Sequence, residues 1–255
     1  MSKITIKDIV KRYRDKYALY LRDQTSTILP GITSIIGPNG SGKSTLLQCI
    51  DNIIPYDGFV YIDTLGCSTR DIDRDKMALT ISFLKQSTNF DIRISIKDLV
   101  SFGRFPYSKG NLNQEDKDII NESMNYMDLY NIKDKYIDNI SGGERQRTLI
   151  AMMLAQNTPI MLLDEPLNNL DMKHSRDIMK KLRNLADNHK KTIVIVIHDI
   201  NFASRYSDRI IAIRQGKIVA DDITNNIVNQ SVLKDIYGID IDVFDYNGIR
   251  YCNYF

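Results

Sequence analysis

From Met1 to Lys7 polar and apolar side chains alternate, the period-two signature of a strand with one buried face. Further along, short apolar runs bounded by glycines or charges predict fully buried strands. The clearest are Thr33–Ile36, Ile160–Leu163, Thr192–Ile197 and Ile210–Ile213. Helical periodicity fills the intervals. It runs over Lys43–Ile53, over Glu144–Gln156 with Leu149, Met152, Met153 and Ala155, and over His174–His189 with Ile178, Leu182 and Leu185 on one face. Strand, helix, strand order predicts a parallel sheet covered by helices on both faces. The middle of the chain differs. From about Ile94 to Gln156 the pattern is helical, with no buried strand, and polar loops at Pro106–Gln114 and Asn131–Asn139 interrupt it. This predicts an α/β core, about 1–90 and 158–255, with a helical lobe of about 91–157 inserted into it.

A chain of 255 residues with 43% hydrophobic and 26% charged residues can bury a core without disulfides or metals. The formal net charge of +2 gives no support to a dedicated nucleic-acid binder. Cys49, Cys67 and Cys252 are scattered, with no metal-ligand spacing, and read as reduced thiols. The longest clean apolar run, Ile193–Ile197, is far short of the roughly 20 residues of a membrane span. The N-terminus lacks the basic start and long apolar run of a signal peptide. Work at a membrane would therefore require docking to another protein.

Candidate chemistry begins with Gly37-Pro38-Asn39-Gly40-Ser41-Gly42-Lys43-Ser44-Thr45, a complete G-x-x-x-x-G-K-S/T phosphate loop between a strand and a helix. Gly40 and Gly42 let the backbone curl so that N–H groups face phosphate oxygens. The following helix directs its positive end to the same place. Lys43 supplies a full charge for the β and γ phosphates, and the Ser44 hydroxyl is a magnesium ligand. Such a loop alone indicates only nucleotide binding.

Two further segments narrow the chemistry. Ile160–Leu163 runs into Asp164-Glu165-Pro166, an apolar strand ending in adjacent carboxylates. Asp164 can hold magnesium through water, and Glu165 can orient or deprotonate an attacking water. Ile140-Ser141-Gly142-Gly143-Glu144-Arg145-Gln146-Arg147 is a second anion trap, a serine and two glycines opening a helix. A capping box would account for Ser141 and Glu144. It would not account for the double glycine, which costs helix stability.

These motifs in this order resemble the ABC ATPase family, whose signature reads Leu-Ser-Gly-Gly-Gln/Glu where this chain has Ile140 to Glu144. The resemblance covers essentially the whole chain. It implies a P-loop NTPase, RecA-like core with N-terminal antiparallel strands and an inserted helical subdomain. It also implies binding of ATP and Mg2+. By the same resemblance Gln86 is a glutamine switch that senses magnesium or the γ-phosphate. Asp171, in Asn169-Leu170-Asp171, belongs to a loop crossing to a partner subunit. His198 is the switch histidine that contacts the γ-phosphate. Tyr13 is the ring stacked on adenine, with Tyr17 the competing candidate. Nucleotide contacts then extend from the phosphate loop to Gln86, Ser141, Gly142, Gly143, Glu144 and Asp171. Glu165, His198 and Lys43 are catalytic, and Ser44, Gln86 and Asp164 serve the metal.

Family members work as head-to-tail dimers, each ATP lying between one subunit's phosphate loop and the other's signature. A homodimer or paired ATPase subunit is expected, on the cytoplasmic face of the membrane. Its other partners would be an integral permease and, indirectly, an extracellular binding protein. Nucleic acid is not an expected partner. Leu99–Tyr107 and Asn168–Ser175 look like the ATPases of iron-siderophore, haem and cobalamin importers, most like the catechol-siderophore type. An importer of haem or cobalamin, an exporter and a regulatory or DNA-associated ATPase are the alternatives. Phe102, Phe105 and Tyr107, with Arg104 adding charge, make Ser95–Tyr107 the expected permease contact. Phe102 has a competing role, pinning the helical lobe to the core.

Overall fold

The computed structural model describes residues 2–86 and 93–254. The chain divides into two compact units, residues 1–72 with 179–255, and residues 73–178.

The first unit opens with β1 (Ile4–Tyr13), β2 (Lys16–Tyr20) and β3 (Thr25–Ile28). After β4 (Gly31–Ile36) come α1 (Lys43–Ile50), β5 (Asp57–Ile62) and β6 (Cys67–Ser68). β1 is the spine of an antiparallel sheet. Its first half pairs with β3 and β5, and its second half pairs with β2 through a shift in register at Lys11/Arg12. Ile4, Ile6 and Ile9 supply its buried face. The strand read at the N-terminus extends to Tyr13, but its alternation ends at Asp8, where φ is +57° and the next two residues, Ile9 and Val10, are both buried; Met1 lies outside the described residues. α1 stops at Ile50, short of the expected Ile53, because Asn52 adopts φ +50°.

The second unit contains α2 (Arg74–Ala78), β7 (Ile81–Leu84), α3 (Ile96–Ser101), α4 (Phe105–Ser108), α5 (Gln114–Tyr126) and α6 (Gly142–Gln156). β8 (Ile160–Asp164) follows, parallel to β7 with Ile81 opposite Ile160. The start of the helical lobe, read at about residue 91, falls among residues 87–92, outside the described residues. Pro106 sits in the first turn of α4, where its missing N–H costs no helical hydrogen bond, so the expected polar loop Pro106–Gln114 is helical at its start. Gly103 passes so close to α6 that a Cβ there would collide with the Met152 carbonyl oxygen. Arg104 is buried: its Nε donates to Asp116 Oδ1 at 2.8 Å and its Nη1 to the Ala155 carbonyl at 2.9 Å. Arg104, expected to add charge to a docking surface, is instead an internal tie.

α7 (Met172–Asn188) spans the division between the units. The rest of the first unit is β9 (Thr192–Val196), α8 (Ile200–Tyr206), β10 (Arg209–Arg214), β11 (Lys217–Ile223), α9 (Thr224–Ile227), α10 (Gln230–Tyr237), β12 (Asp242–Tyr246) and β13 (Ile249–Asn253). β4 lies between β9 and β10, parallel to both, and β11 closes back antiparallel on β10. All six residues of β4 and all five of β9 are buried, so the continuous apolar runs are central strands.

The Arg104–Asp116 pair yields a stability prediction. Asp116→Ala leaves a buried guanidinium without its carboxylate and should cost about 3–5 kcal/mol. The Arg104 hydrogen bond holds the Asp116 carboxyl below its ordinary value of 3.8. The native pair therefore contributes stability above that value and loses it as pH falls through the depressed one. Urea denaturation of both proteins from pH 7 down to pH 3 checks this; the gap between them should narrow at the acid end.

Candidate functional site

In the first unit, β4 delivers the chain into the phosphate loop at its buried end. Gly37 adopts φ +140°, and a Cβ on it would collide with the Ile213 carbonyl oxygen of β10. Gly40 and Gly42 adopt φ +72° and +110°. Ser41 is tied at both ends of its peptide: its N–H donates to the Pro38 carbonyl at 3.2 Å, and its carbonyl accepts from Gly216 N at 2.9 Å. The Ser41 Oγ is buried and has no hydrogen-bond partner among the described residues. Gly42 is the N-cap of α1 and offers no side-chain acceptor to the helix's first N–H groups. Lys43 is only 5% exposed, with its Nζ donating to the Gly37 and Pro38 carbonyls at 2.9 and 3.0 Å. An ammonium folded onto its own loop, an orphaned hydroxyl and an uncapped helix start form a donor-rich cradle that fits a polyphosphate.

Tyr13 and Tyr17 sit on the β1–β2 hairpin, with Tyr13 opposite Lys16 and Arg12 opposite Tyr17. Both rings are exposed. Lys11 Nζ lies 4.8 Å from the Tyr13 centroid, whereas Tyr17 packs edge-on against Tyr20 at 5.1 Å. His198 follows β9 and is exposed.

In the second unit, β8 is buried throughout and ends at Asp164. Glu165 then adopts φ +53°, a left-handed backbone that costs an L-residue about 1–2 kcal/mol. Its Oε2 accepts from Gln86 Nε2 at 2.6 Å and also from Asn168 Nδ2. Gln86, Glu165, Asn168 and Asn169 line a cavity of about 260 Å³ together with Arg145 and Gln146 of α6.

Ser141 caps α6 and builds the full capping box. Its Oγ accepts from Glu144 N at 3.2 Å, and its N–H donates to Glu144 Oε2 at 2.8 Å. That backbone hydrogen bond draws the Glu144 carboxyl below its usual range. The double glycine has a separate reason at Gly143: a Cβ there would stand 3.1 Å from the His174 ring. His174 in turn is bound to Asp171. Its backbone N–H donates to Asp171 Oδ1 and its Nδ1 lies 2.8 Å from Oδ2. The backbone bond leads the causes that lower the Asp171 carboxyl. Gln86 and Glu165 are thus brought together, as are Ser141 and Glu144. Asn168 and His174 are contributors that sequence reasoning did not assign. Both lie in Asn168–Ser175, a segment that carries a resemblance to importer ATPases but assigns neither side chain a role.

Residues 23–168 match the family model described as ABC transporter. The chain belongs to that family and is an ATP-binding, ATP-hydrolysing cassette on a P-loop NTPase fold. It is 48% identical to the petrobactin import ATP-binding protein YclP of Bacillus subtilis (strain 168), over 254 residues that cover 99% of each chain. It is 38% identical to the ferric enterobactin transport ATP-binding protein FepC of Escherichia coli (strain K12), over 84% of this chain and 79% of that one. The dimeric post-hydrolysis cassette MJ0796, bound to ADP and Pi, superposes with a TM-score of 0.76 at 32% identity, over 87% of this chain and 98% of the other.

Gly42 offers a local test of the cradle. A Cβ would meet the Ala18 carbonyl oxygen at 2.5 Å in a backbone conformation that L-residues avoid. Gly42→Ala should weaken ATP binding at least about tenfold by displacing the loop from β2. Titration with a fluorescent nucleotide measures it, and circular dichroism checks that the fold persists.

Proposed function

We propose that the chain powers import of iron–siderophore complexes, acting as a homodimer docked on a separate membrane permease. The full-length similarity to a petrobactin import ATPase carries this reading. Among the described residues no helix is long and apolar enough to cross a membrane, which suits a subunit held at the cytoplasmic face by its partner. An extracellular binding protein would deliver the cargo to the permease.

In this reading Lys43 Nζ exchanges the Gly37 and Pro38 carbonyls for the β and γ phosphates of ATP. Ser41 Oγ and the N–H groups of Gly40 to Thr45 complete the grip. Tyr13 stacks on adenine. Ser44, Asp164 and Gln86 are hard oxygen donors of the kind magnesium takes, and they would hold it. Magnesium held there would supply positive charge to offset that of the phosphate oxygens. Glu165 accepts the proton of the attacking water; the amides of Gln86 and Asn168 hold its carboxylate beforehand. His198 contacts the γ-phosphate. Ser141, Gly142, Gly143 and Glu144 address the nucleotide of the second subunit, and Asp171 crosses toward it. Closure around ATP and release after hydrolysis would move the permease.

Phe102 and Phe105 are 53% and 55% exposed, which supports a docking role for both. Tyr107 is more constrained: its hydroxyl donates to the Gln156 carbonyl at 3.0 Å, and the Arg104 guanidinium lies 3.9 Å from its ring.

Two experiments bear on this. Glu165→Gln should bind ATP with ordinary affinity, hydrolyse it at least about a hundredfold more slowly and accumulate as an ATP-bound dimer. Size-exclusion chromatography with ATP and a phosphate-release assay measure both. A monomer turning over at the wild-type rate would remove Glu165 from the mechanism. Phe102→Ala with Phe105→Ala should leave ATPase activity of the isolated subunit intact while ferric-siderophore uptake by cells falls. Normal uptake in a strain lacking the protein and any substitute ATPase would refute the iron assignment.

A further inference from the structure

The C-terminal hairpin, β12 with β13, lies beyond the residues matched by the family model. Cys252 of β13 joins an apolar cluster with Ile36, Ile200, Ala203, Ile236 and Ile241. Ile36 is the last residue of β4 before the phosphate loop, and Ile200 opens α8. The hairpin is also bound to α8 by polar contacts. Asn201 Oδ1 accepts from Cys252 N at 2.8 Å, and Asn201 Nδ2 donates to the Cys252 carbonyl at 3.2 Å. One amide side chain thus satisfies both backbone groups of a strand residue, as a neighbouring strand would. Ser204 Oγ donates to the Arg250 carbonyl at 2.6 Å, one turn further along α8. α8 has seven residues, too few to be stable without packing. Its first turn is held by the Asp199 cap, whose Oδ1 accepts from Asn201 N at 2.8 Å, and by this hairpin. His198 stands immediately before that cap.

We propose that Asn201 is a positioning residue for His198 and that the C-terminal hairpin acts through it. The hairpin fixes the first turn of α8, and the first turn fixes where the histidine backbone leaves β9. The consequence for turnover rests on the reading of His198 as the γ-phosphate contact; the placement itself does not.

Protein labelled with 15N-histidine tests the two separately, because the chain has three histidines, His174, His189 and His198. Asn201→Ala should shift the imidazole resonances of His198 and leave the other two in place. ATP turnover should fall about tenfold with KM for ATP within about twofold. Asn201→Asp keeps the acceptor for Cys252 N and loses the donor, so it should fall between wild type and Asn201→Ala. It also serves as the test variant if the alanine protein does not fold. In a His198→Ala background, Asn201→Ala should reduce turnover no further. Unmoved His198 resonances overturn the proposal. So does a shift of all three histidines with a lower Tm, which would make Asn201 a general stabiliser. A shift confined to His198 with unchanged turnover upholds the placement and refutes the role assigned to His198.

Discussion

Backbone N–H groups can grip a phosphate only if the loop carrying them turns inward, and an inward turn needs support from outside. In this protein the support is other backbone. The Ile213 carbonyl leaves no room for a Cβ at Gly37, the Ala18 carbonyl leaves none at Gly42, and Gly216 N holds the Ser41 carbonyl. Two separate stretches of chain, β2 and the segment from Ile213 to Gly216, must reach the loop before it can hold its shape. That requirement accounts for β4 lying between β9 and β10, buried along its whole length, with β2 reaching the base of α1. The glycines are consequences of those approaches as much as of the left-handed backbone.

The second unit solves a different problem, holding charged groups in place by hydrogen bonds to nearby side chains. Glu165 is held by two amides, which donate hydrogen bonds without adding a competing charge. Glu144 is occupied by Ser141, and Asp171 by His174. Glu165, Glu144 and Asp171 are therefore each tied by a near neighbour or an amide, which limits the side-chain freedom lost when a ligand arrives. The buried Arg104–Asp116 pair belongs to the same unit but is structural. It joins the segment before α4 to the N-terminus of α5, while Phe102 and Phe105 remain outside.

Of the strands, those with unbroken apolar runs were legible: β4, β8, β9 and β10 differ from their expected spans by a few residues at most. β5, β6, β7, β11, β12 and β13 were not. β5 alternates exposed and buried positions over only six residues, and β12 is mostly exposed, so neither carries a continuous hydrophobic signal. β5 finds its partner in β1 at long range, and β12 pairs with β13 through a tight turn.

The sequence by itself determined the chemistry that depends on consecutive residues. A phosphate loop, an acid pair after an apolar strand and a capped double glycine each work over fewer than ten positions, so their composition reveals them. Tertiary structure alone decided which side chains serve those motifs from a distance. Gln86 reaches Glu165 across 79 positions, and Asn201 pairs with Cys252 across 51. Arg104, which reads as a surface charge among aromatics, is instead drawn inside by Asp116. The physical reason is common to all three. A hydrogen bond or buried ion pair is specified by the positions of two groups in space, and residue type and periodicity carry no record of the second group until the chain has folded.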